Sequence, residues 1–189
     1  MSKQLQDAYI VAATRSPVGK APRGISFVTA PMEKDTEVTG PIVLKLWVSS
    51  TTEDMDIFAT IRNIDAEGKD VCEIGQQEDE ISCVTKGWLR ASHRKLDKEK
   101  STPYRPYHAH DEHQWLKNGE IVECDVEIWP TSMVFKKGHK IRLDIGPVDG
   151  IGSLYFSHFH ADYNQGALNT VYSGGDKESY LLLPIIPSK

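Results

Sequence analysis

The sequence predicts an all-β protein, an antiparallel β-sandwich or jelly roll, and three observations carry that prediction. Apolar and polar residues alternate through several stretches, turn residues punctuate them, and no stretch has the spacing of an amphipathic helix. Ile42, Leu44, Leu46 and Val48 share one strand face, with Lys45 and Ser49 on the other. Ile57, Ala59 and Ile61 are opposed by Asp56, Thr60 and Arg62. Val122, Cys124, Val126 and Ile128 alternate with Glu123, Asp125 and Glu127, and Ile141, Leu143 and Ile145 with Lys140, Arg142 and Asp144. Each strand thus has one apolar and one polar face, as in an antiparallel sheet packed on a single side. Turns are expected at 65–68, Asn118-Gly119, Lys137-Gly138 and Gly174-Gly175. The stretch 93–100, with only Leu96 as an apolar anchor, reads as a loop or a single turn. Residues 101–117, which hold Pro103 and Pro106, read as a long ordered loop.

Composition narrows the function classes. The chain has 189 residues, 39% hydrophobic and 26% charged, with a net charge of -5. At that length folding buries roughly 70% of the extended chain's surface, enough for a core without staples. The charges interleave and form no basic stripe, which argues against a nucleic-acid partner. The longest apolar run, residues 180–186, falls far short of the roughly 20 residues that span a bilayer, so no membrane association is expected. Residues 8–13 are apolar but stop before Arg15 and follow Asp7, a poor signal-peptide core, so the cytoplasm is the expected compartment. Cys72, Cys83 and Cys124 cannot all pair and form no C-x-x-C, so they read as small buried hydrophobes in a reducing compartment.

Ordered blocks of residues carry a family resemblance. They begin with Ser26-Phe27-Val28-Thr29-Ala30-Pro31 and Val38-Thr39-Gly40-Pro41. Gly87-Trp88-Leu89-Arg90-Ala91-Ser92-His93-Arg94 and Tyr104-Arg105-Pro106-Tyr107-His108 form the centre. Ile128-Trp129-Pro130-Thr131-Ser132, Phe135-Lys136-Lys137-Gly138-His139 and Ser179-Tyr180-Leu181-Leu182-Leu183-Pro184 follow. Over residues 25–187 these blocks resemble the C-terminal jelly-roll domain of the X-Pro dipeptidyl-peptidase and cocaine-esterase-like serine hydrolases. The resemblance implies a galactose-binding-domain-like sandwich that packs against an α/β-hydrolase domain and shapes its surroundings. Residues 1–24 are similar instead to the N-terminus of a thiolase, through Asp7-Ala8-Tyr9-Ile10-Val11-Ala12-Ala13-Thr14-Arg15-Ser16-Pro17-Val18-Gly19. That segment is therefore expected to be a leader outside the 25–189 domain.

Full-length members of the family use a Ser-His-Asp triad whose serine sits in a G-x-S-x-G turn. This sequence contains no such pentapeptide and no β/α alternation to carry one, and the matching region of the family holds none of the triad. No catalytic residue is assigned. Ser92, His93 and Arg94 match a catalytic set by residue type only, because neighbours on a strand point apart. His108, His110, Asp111, Glu112 and His113 form the densest polar cluster. In a strand, His108 and His110 would face one way and share a metal; in a surface loop, they bond to backbone or water. The loop reading is preferred, and likewise for His158 and His160, so neither metal nor cofactor is expected. The acidic run 78–80 reads as a solvated loop.

Trp88, Trp115, Trp129, Tyr104 and Tyr107 admit two readings: a sugar-stacking platform, or packing of the sandwich or of a domain interface. The resemblance favours an interface, with Trp88, Arg90, Arg94, Tyr104, Tyr107 and Trp115 as its expected contributors, since Trp, Tyr and Arg dominate interface energetics. The expected partner is an α/β-hydrolase domain, in cis or in trans, or a second copy of the chain covering the same face.

Overall fold

A computed structural model describes residues 24–71, 73–74, 81–149 and 166–187. The alternating stretches form strands: β1 (Ile25–Val28), β2 (Thr36–Ser50), β3 (Asp56–Ile64), β6 (Thr85–Arg90), β7 (Val122–Phe135) and β8 (Lys140–Gly146). Shorter strands complete the set: β4 (Glu73–Ile74), β5 (Ile81–Ser82), β9 (Asn169–Tyr172), β10 (Tyr180–Leu182) and β11 (Ile185–Ile186). The one helical element among the described residues is a 3-10 turn, Ala91–His93. No helix among them is long and apolar enough to cross a membrane.

Every strand pairing among the described residues is antiparallel. Nine strands make one sheet in the order β1-β8-β3-β6-β7-β2-β10, with β9 and β11 also on β2, while β4 and β5 form a separate hairpin. β2 and β7 pair along nearly their whole length, from Thr36 opposite Phe135 to Val48 opposite Val122. β6 meets β7 through a single register pair, Gly87 opposite Ile128. The sheet curls at that seam, and its two halves bury their inward faces in one core. Ile57, Ile61, Leu89 and Leu143 from one half join Ile42, Leu46, Val126 and Ile128 from the other. This is the expected β-sandwich, made from one sheet folded over on itself.

Two details depart from the simple alternation. β3 is buried on both faces, because Asp56, Phe58, Thr60 and Ile64 are covered as well as Ile57, Ala59, Ile61 and Asn63. Two of its buried polar groups have partners that make such burial tolerable: Arg90 lies on Asp56, and His139 Nδ1 is 3.0 Å from Asn63 Oδ1. The second departure is a bulge. Gly40 faces Thr131 and Ile42 faces Ile128, so β7 carries one extra residue across Trp129-Pro130. Pro41 and Pro130 lack the amide protons that a regular ladder would need there. The bulge also flips the inward parity of β7, from Ile128 before it to Phe135 after it. Of the cysteines, Cys124 is buried in the core and Cys83 is half-buried, while Cys72 lies outside the described residues. Burial pushes the Cys124 thiol up to about 12, so it behaves as a small hydrophobe.

The seam depends on a missing side chain. A Cβ on Gly87 would lie 2.1 Å from the Glu127 carbonyl oxygen and 2.8 Å from the Ile128 Cα, backbone atoms that cannot swing away. Gly87→Ala should therefore destabilise the fold by about 3 kcal/mol or more in urea unfolding. Gly119→Ala, at a turn with φ of 74° and open space around it, should cost only about 1 kcal/mol. A Gly87→Ala chain as stable as the parent would mean the two strands do not hold this approach.

Candidate functional site

The site is built on a buried carboxylate. Asp54, 2% exposed, lies just before β3. Its Oδ1 accepts hydrogen bonds from the Met55 and Ser92 amides, both at 2.9 Å, and its Oδ2 accepts from Ser92 Oγ at 2.7 Å. Arg90 approaches it at 3.6 Å while making a forked contact with Asp56, at 2.9 and 3.3 Å. Charge-assisted bonds of this kind offset the cost of burying carboxylates. They also pin the 3-10 turn against the start of β3, with His93 at its end.

Residues 91–93 therefore do not continue a strand, which corrects the reading of Ser92 and His93 as strand neighbours. A 3-10 turn forms because Asp54 offers the Ser92 amide and hydroxyl better partners than a further ladder would. Ser92 is fully buried and its hydroxyl is committed to Asp54. It is not an exposed nucleophile.

The long loop after this turn doubles back on itself. The Asp97 amide donates to the Tyr107 carbonyl and the Ala109 amide to the Lys95 carbonyl, flanking a bridge between Leu96 and His108. Arg105 reaches Glu127 of β7 at 3.5 Å, and His108 lies beside the Asp125 backbone, so the loop lies across the outer face of β7. On its return, Gln114 donates to the Ser92 carbonyl and Leu116 to the Glu53 carbonyl. Arg94 Nη1 donates to the carbonyls of Ala91 and Gln114, closing the loop onto the 3-10 turn.

Between this loop and β6 lies an open cleft of about 480 Å³, with Trp88, Arg90, His93, His108, Glu127 and Trp129 among its lining. The Trp88 and Trp129 rings meet at 5.5 Å with a tilt of 50°. His93 joins the expected histidine cluster: its Nδ1 is 3.0 Å from His110 Nδ1, and its ring meets His113 edge-on at 4.6 Å. Burial and then the neighbouring imidazoles lower the basicity of His93, and burial followed by His110 does the same to His108. His108 Nε2 is buried with no hydrogen-bond partner. Among the described residues no group of three or more His, Cys, Asp or Glu side chains is arranged to hold a metal ion. His110 has a φ of 53°, so 108–110 is not the extended segment that would align two imidazoles.

The expected interface residues divide into two sets. Trp88, Tyr104, Tyr107 and Trp115 are exposed, whereas Arg90 and Arg94 are half-buried with their guanidinium groups on internal acceptors. Trp129, 59% exposed, joins the aromatic set beside Trp88. Alternation along β7 places Trp129 opposite the face of Val122 and Ile128, but its pairing with Trp88 needs the β6–β7 register. His93 was missed as a member of the histidine cluster because its contacts span 17 and 20 residues. His158, His160 and the acidic run 78–80 lie outside the described residues. Ser92→Ala should cost about 1.5–3 kcal/mol in urea unfolding, the usual worth of a hydrogen bond to a charged group. A loss under roughly 0.5 kcal/mol would show that the Asp54 contact does not hold the turn.

Comparison with known proteins adds to this geometry. Residues 6–182 match the family described as the X-Pro dipeptidyl-peptidase C-terminal non-catalytic domain, a match that begins inside the leader-like segment. The chain is 30% identical over 168 residues to a protein named as a serine esterase from Mycobacterium bovis, covering 86% of this chain and 24% of that one. It is 23% identical over 187 residues to the cocaine esterase of a Rhodococcus species, covering 92% and 27%. The crystal structure of a CocE/NonD family hydrolase from Staphylococcus aureus superposes with a TM-score of 0.77 at 34% identity, covering 87% of this chain and 30% of that one. An α-amino acid ester hydrolase, 16% identical with a TM-score of 0.62, shares the fold. The chain thus spans about a quarter of the length of the curated relatives it matches. By sequence match, fold and extent, this chain belongs to the family of X-Pro dipeptidyl-peptidase C-terminal non-catalytic domains.

Proposed function

We propose that the chain is an accessory packing module of an X-Pro dipeptidyl-peptidase or esterase-type serine hydrolase, docking on the α/β-hydrolase domain and contributing none of its catalytic residues. The observation that carries this reading is the set of exposed aromatics, Trp88 and Trp129 lining the cleft and Tyr104, Tyr107 and Trp115 on the long loop beside it. An inter-domain interface within one chain typically covers ~600–1,500 Å², and aromatic anchors supply much of its energy. Arg90 and Arg94 serve by position, holding the 3-10 turn and the returning loop, and need not reach the partner. Trp88 and Trp129 pack on each other at a tilt of 50°. That geometry offers no single flat platform for a sugar ring and favours docking over carbohydrate binding. A domain limit near residue 25, a cytoplasmic setting and self-association through the same face belong to this proposal. The buried thiol of Cys124 supports the reducing compartment.

The test places this chain where the matching domain stands in the Staphylococcus aureus hydrolase and follows thermal unfolding. One shared transition is expected, weakened by roughly 1–3 kcal/mol by Trp88→Ala or Tyr107→Ala, the scale of an interface anchor. Two independent transitions, neither moved by those changes, would defeat the docking reading. Light scattering of the unfused chain reports on self-association by the same residues.

The chain alone should hydrolyse neither an activated ester nor an X-Pro anilide, because Ser92 is buried on Asp54 and no G-x-S-x-G is present. Turnover abolished by a Ser→Ala change at Ser153 or Ser157, which lie outside the described residues, or at Ser92 in a chain that still folds, would overturn the non-catalytic reading.

A further inference from the structure

The segment from His110 to His113 is fastened at both ends by backbone bonds, from the Ala109 amide to Lys95 and from the Gln114 amide to Ser92. Between these anchors, side chains hold it. His110 Nδ1 is 3.0 Å from His93 Nδ1, and the His113 ring lies edge-on to His93 at 4.6 Å and stacked on Trp115 at 5.0 Å. His110 has a φ of 53°, the only positive value at a non-glycine among the described residues. That conformation is disfavoured for a side chain with a Cβ, and it persists only where the surroundings impose it.

A contact between two Nδ1 atoms has a definite proton count. With both imidazoles neutral, one Nδ1–H donates to the other Nδ1 lone pair. A first added proton goes to an outward Nε2 and leaves that bond intact. A second gives both rings an Nδ1–H, and two donors then meet head to head with no acceptor between them. His113 crowds a further imidazole against the same His93.

We propose that residues 110–113 form an acid-released flap over the cleft, held closed by the imidazole contact with His93 and freed when both rings are protonated. The other charges facing this contact do not replace it. Arg90 faces His93 as a like charge once His93 is protonated, while Asp54, which attracts it, is occupied by Ser92 and Met55. His108 faces His110 with a ring separation of 6.0 Å, adding a further potential cation. Lys95 pairs with Asp111 at 3.0 Å and Glu112 at 3.3 Å. Hydrogen bonding to Asp111 raises the Lys95 pKa, and hydrogen bonding from Lys95 lowers that of Asp111, so this pair keeps its charges through mild acid. It therefore serves as a tether on which the flap turns.

The direction of the pH dependence follows from His93 and His108, both less basic here than the ordinary value near 6.5. The closed state binds protons less readily than the released one. Closure is complete above about pH 6.5 and is lost as the pH falls below it, toward the depressed values.

The flap is a property of the chain by itself, so its test needs no hydrolase partner. In the full 189-residue chain, side-chain NMR follows the ring contacts His93–His110 and His113–Trp115 between about pH 7.5 and about pH 5. Both contacts should disappear toward the acid end, with His93 and His110 titrating together in two steps. His93→Gln removes the latch itself, so the His113–Trp115 contact should no longer change with pH over that range. Should that variant misfold, His110→Asn, which tolerates a positive φ, should convert the His93 titration to one step. Single-step, independent titration of both histidines in the parent, with the ring contacts intact in acid, overturns the proposal. So does a His93→Gln chain that loses the His113–Trp115 contact at the same pH as the parent.

Discussion

The curl of this sheet depends on how closely β6 can approach β7. Gly87 faces Ile128 at the single register pair joining the two strands, and the contact distances leave no room for a Cβ. Without that approach the β1-β8-β3-β6 half would have no continuous path to the β7-β2 half, and the core between them would open. The same contact sets the outer surface. Removing the side chain at Gly87 brings the strands together, and the outward residues on either side, Trp88 and Trp129, become diagonal neighbours across the seam. The bulge at Trp129-Pro130 adds local twist where the ladder is already interrupted. A constraint on the inside thus appears outside as an aromatic pair at the mouth of a cleft.

Asp54 does for the loop what Gly87 does for the sheet. A carboxylate this buried is tolerated only with donors around it, and besides the adjacent Met55 amide the donors come from Ser92, 38 residues along the chain. Ser92 is drawn down to it, Arg90 leans toward it while holding Asp56, and the returning loop is tied to the same turn through Gln114 and Arg94. The histidine cluster follows from this scaffold. His93 is placed by the turn, and His110 and His113 by a loop whose ends are anchored on the neighbouring carbonyls. Losing Asp54 would therefore reach the cleft through the backbone, without any direct contact with the aromatic residues.

The parts of this architecture legible in the sequence are those governed by local periodicity. Ile42 to Val48, Ile57 to Ile61, Val122 to Ile128 and Ile141 to Ile145 turn the expected residues inward, because a period of two admits one burial pattern. The double-sided burial of β3 was hidden, since Asp56 and Thr60 look solvated by alternation, and Arg90 comes to lie beside Asp56 only through the β3–β6 pairing. The Trp88–Trp129 pair and the entry of His93 among the histidines depend on register and on loop closure, which residue order alone does not specify. Ser92 illustrates the same limit. Its neighbours suggested a strand, and a carboxylate 38 residues earlier turned it into a 3-10 turn. The family resemblance reached further than periodicity could, because ordered blocks such as 87–94 and 104–108 point to the jelly-roll domain as a whole.

The division between internal cations and external aromatics bears on how such a surface would work. Docking removes water from every group it covers, and an unpaired guanidinium in the interface would have to be compensated by the partner with good geometry. Arg90 and Arg94 already have their acceptors inside the module, on Asp56 and on the carbonyls of Ala91 and Gln114. Trp88, Tyr104, Tyr107, Trp115 and Trp129 bring large apolar area with few rotatable bonds, so ordering them on contact costs little entropy. The cleft next to them still contains one unmet demand, the buried Nε2 of His108. That nitrogen donates or accepts according to the ring's tautomer, so either kind of group can meet it. A partner that reached into the cleft would gain by offering it a hydrogen bond, which would add direction to an aromatic contact that has little of its own.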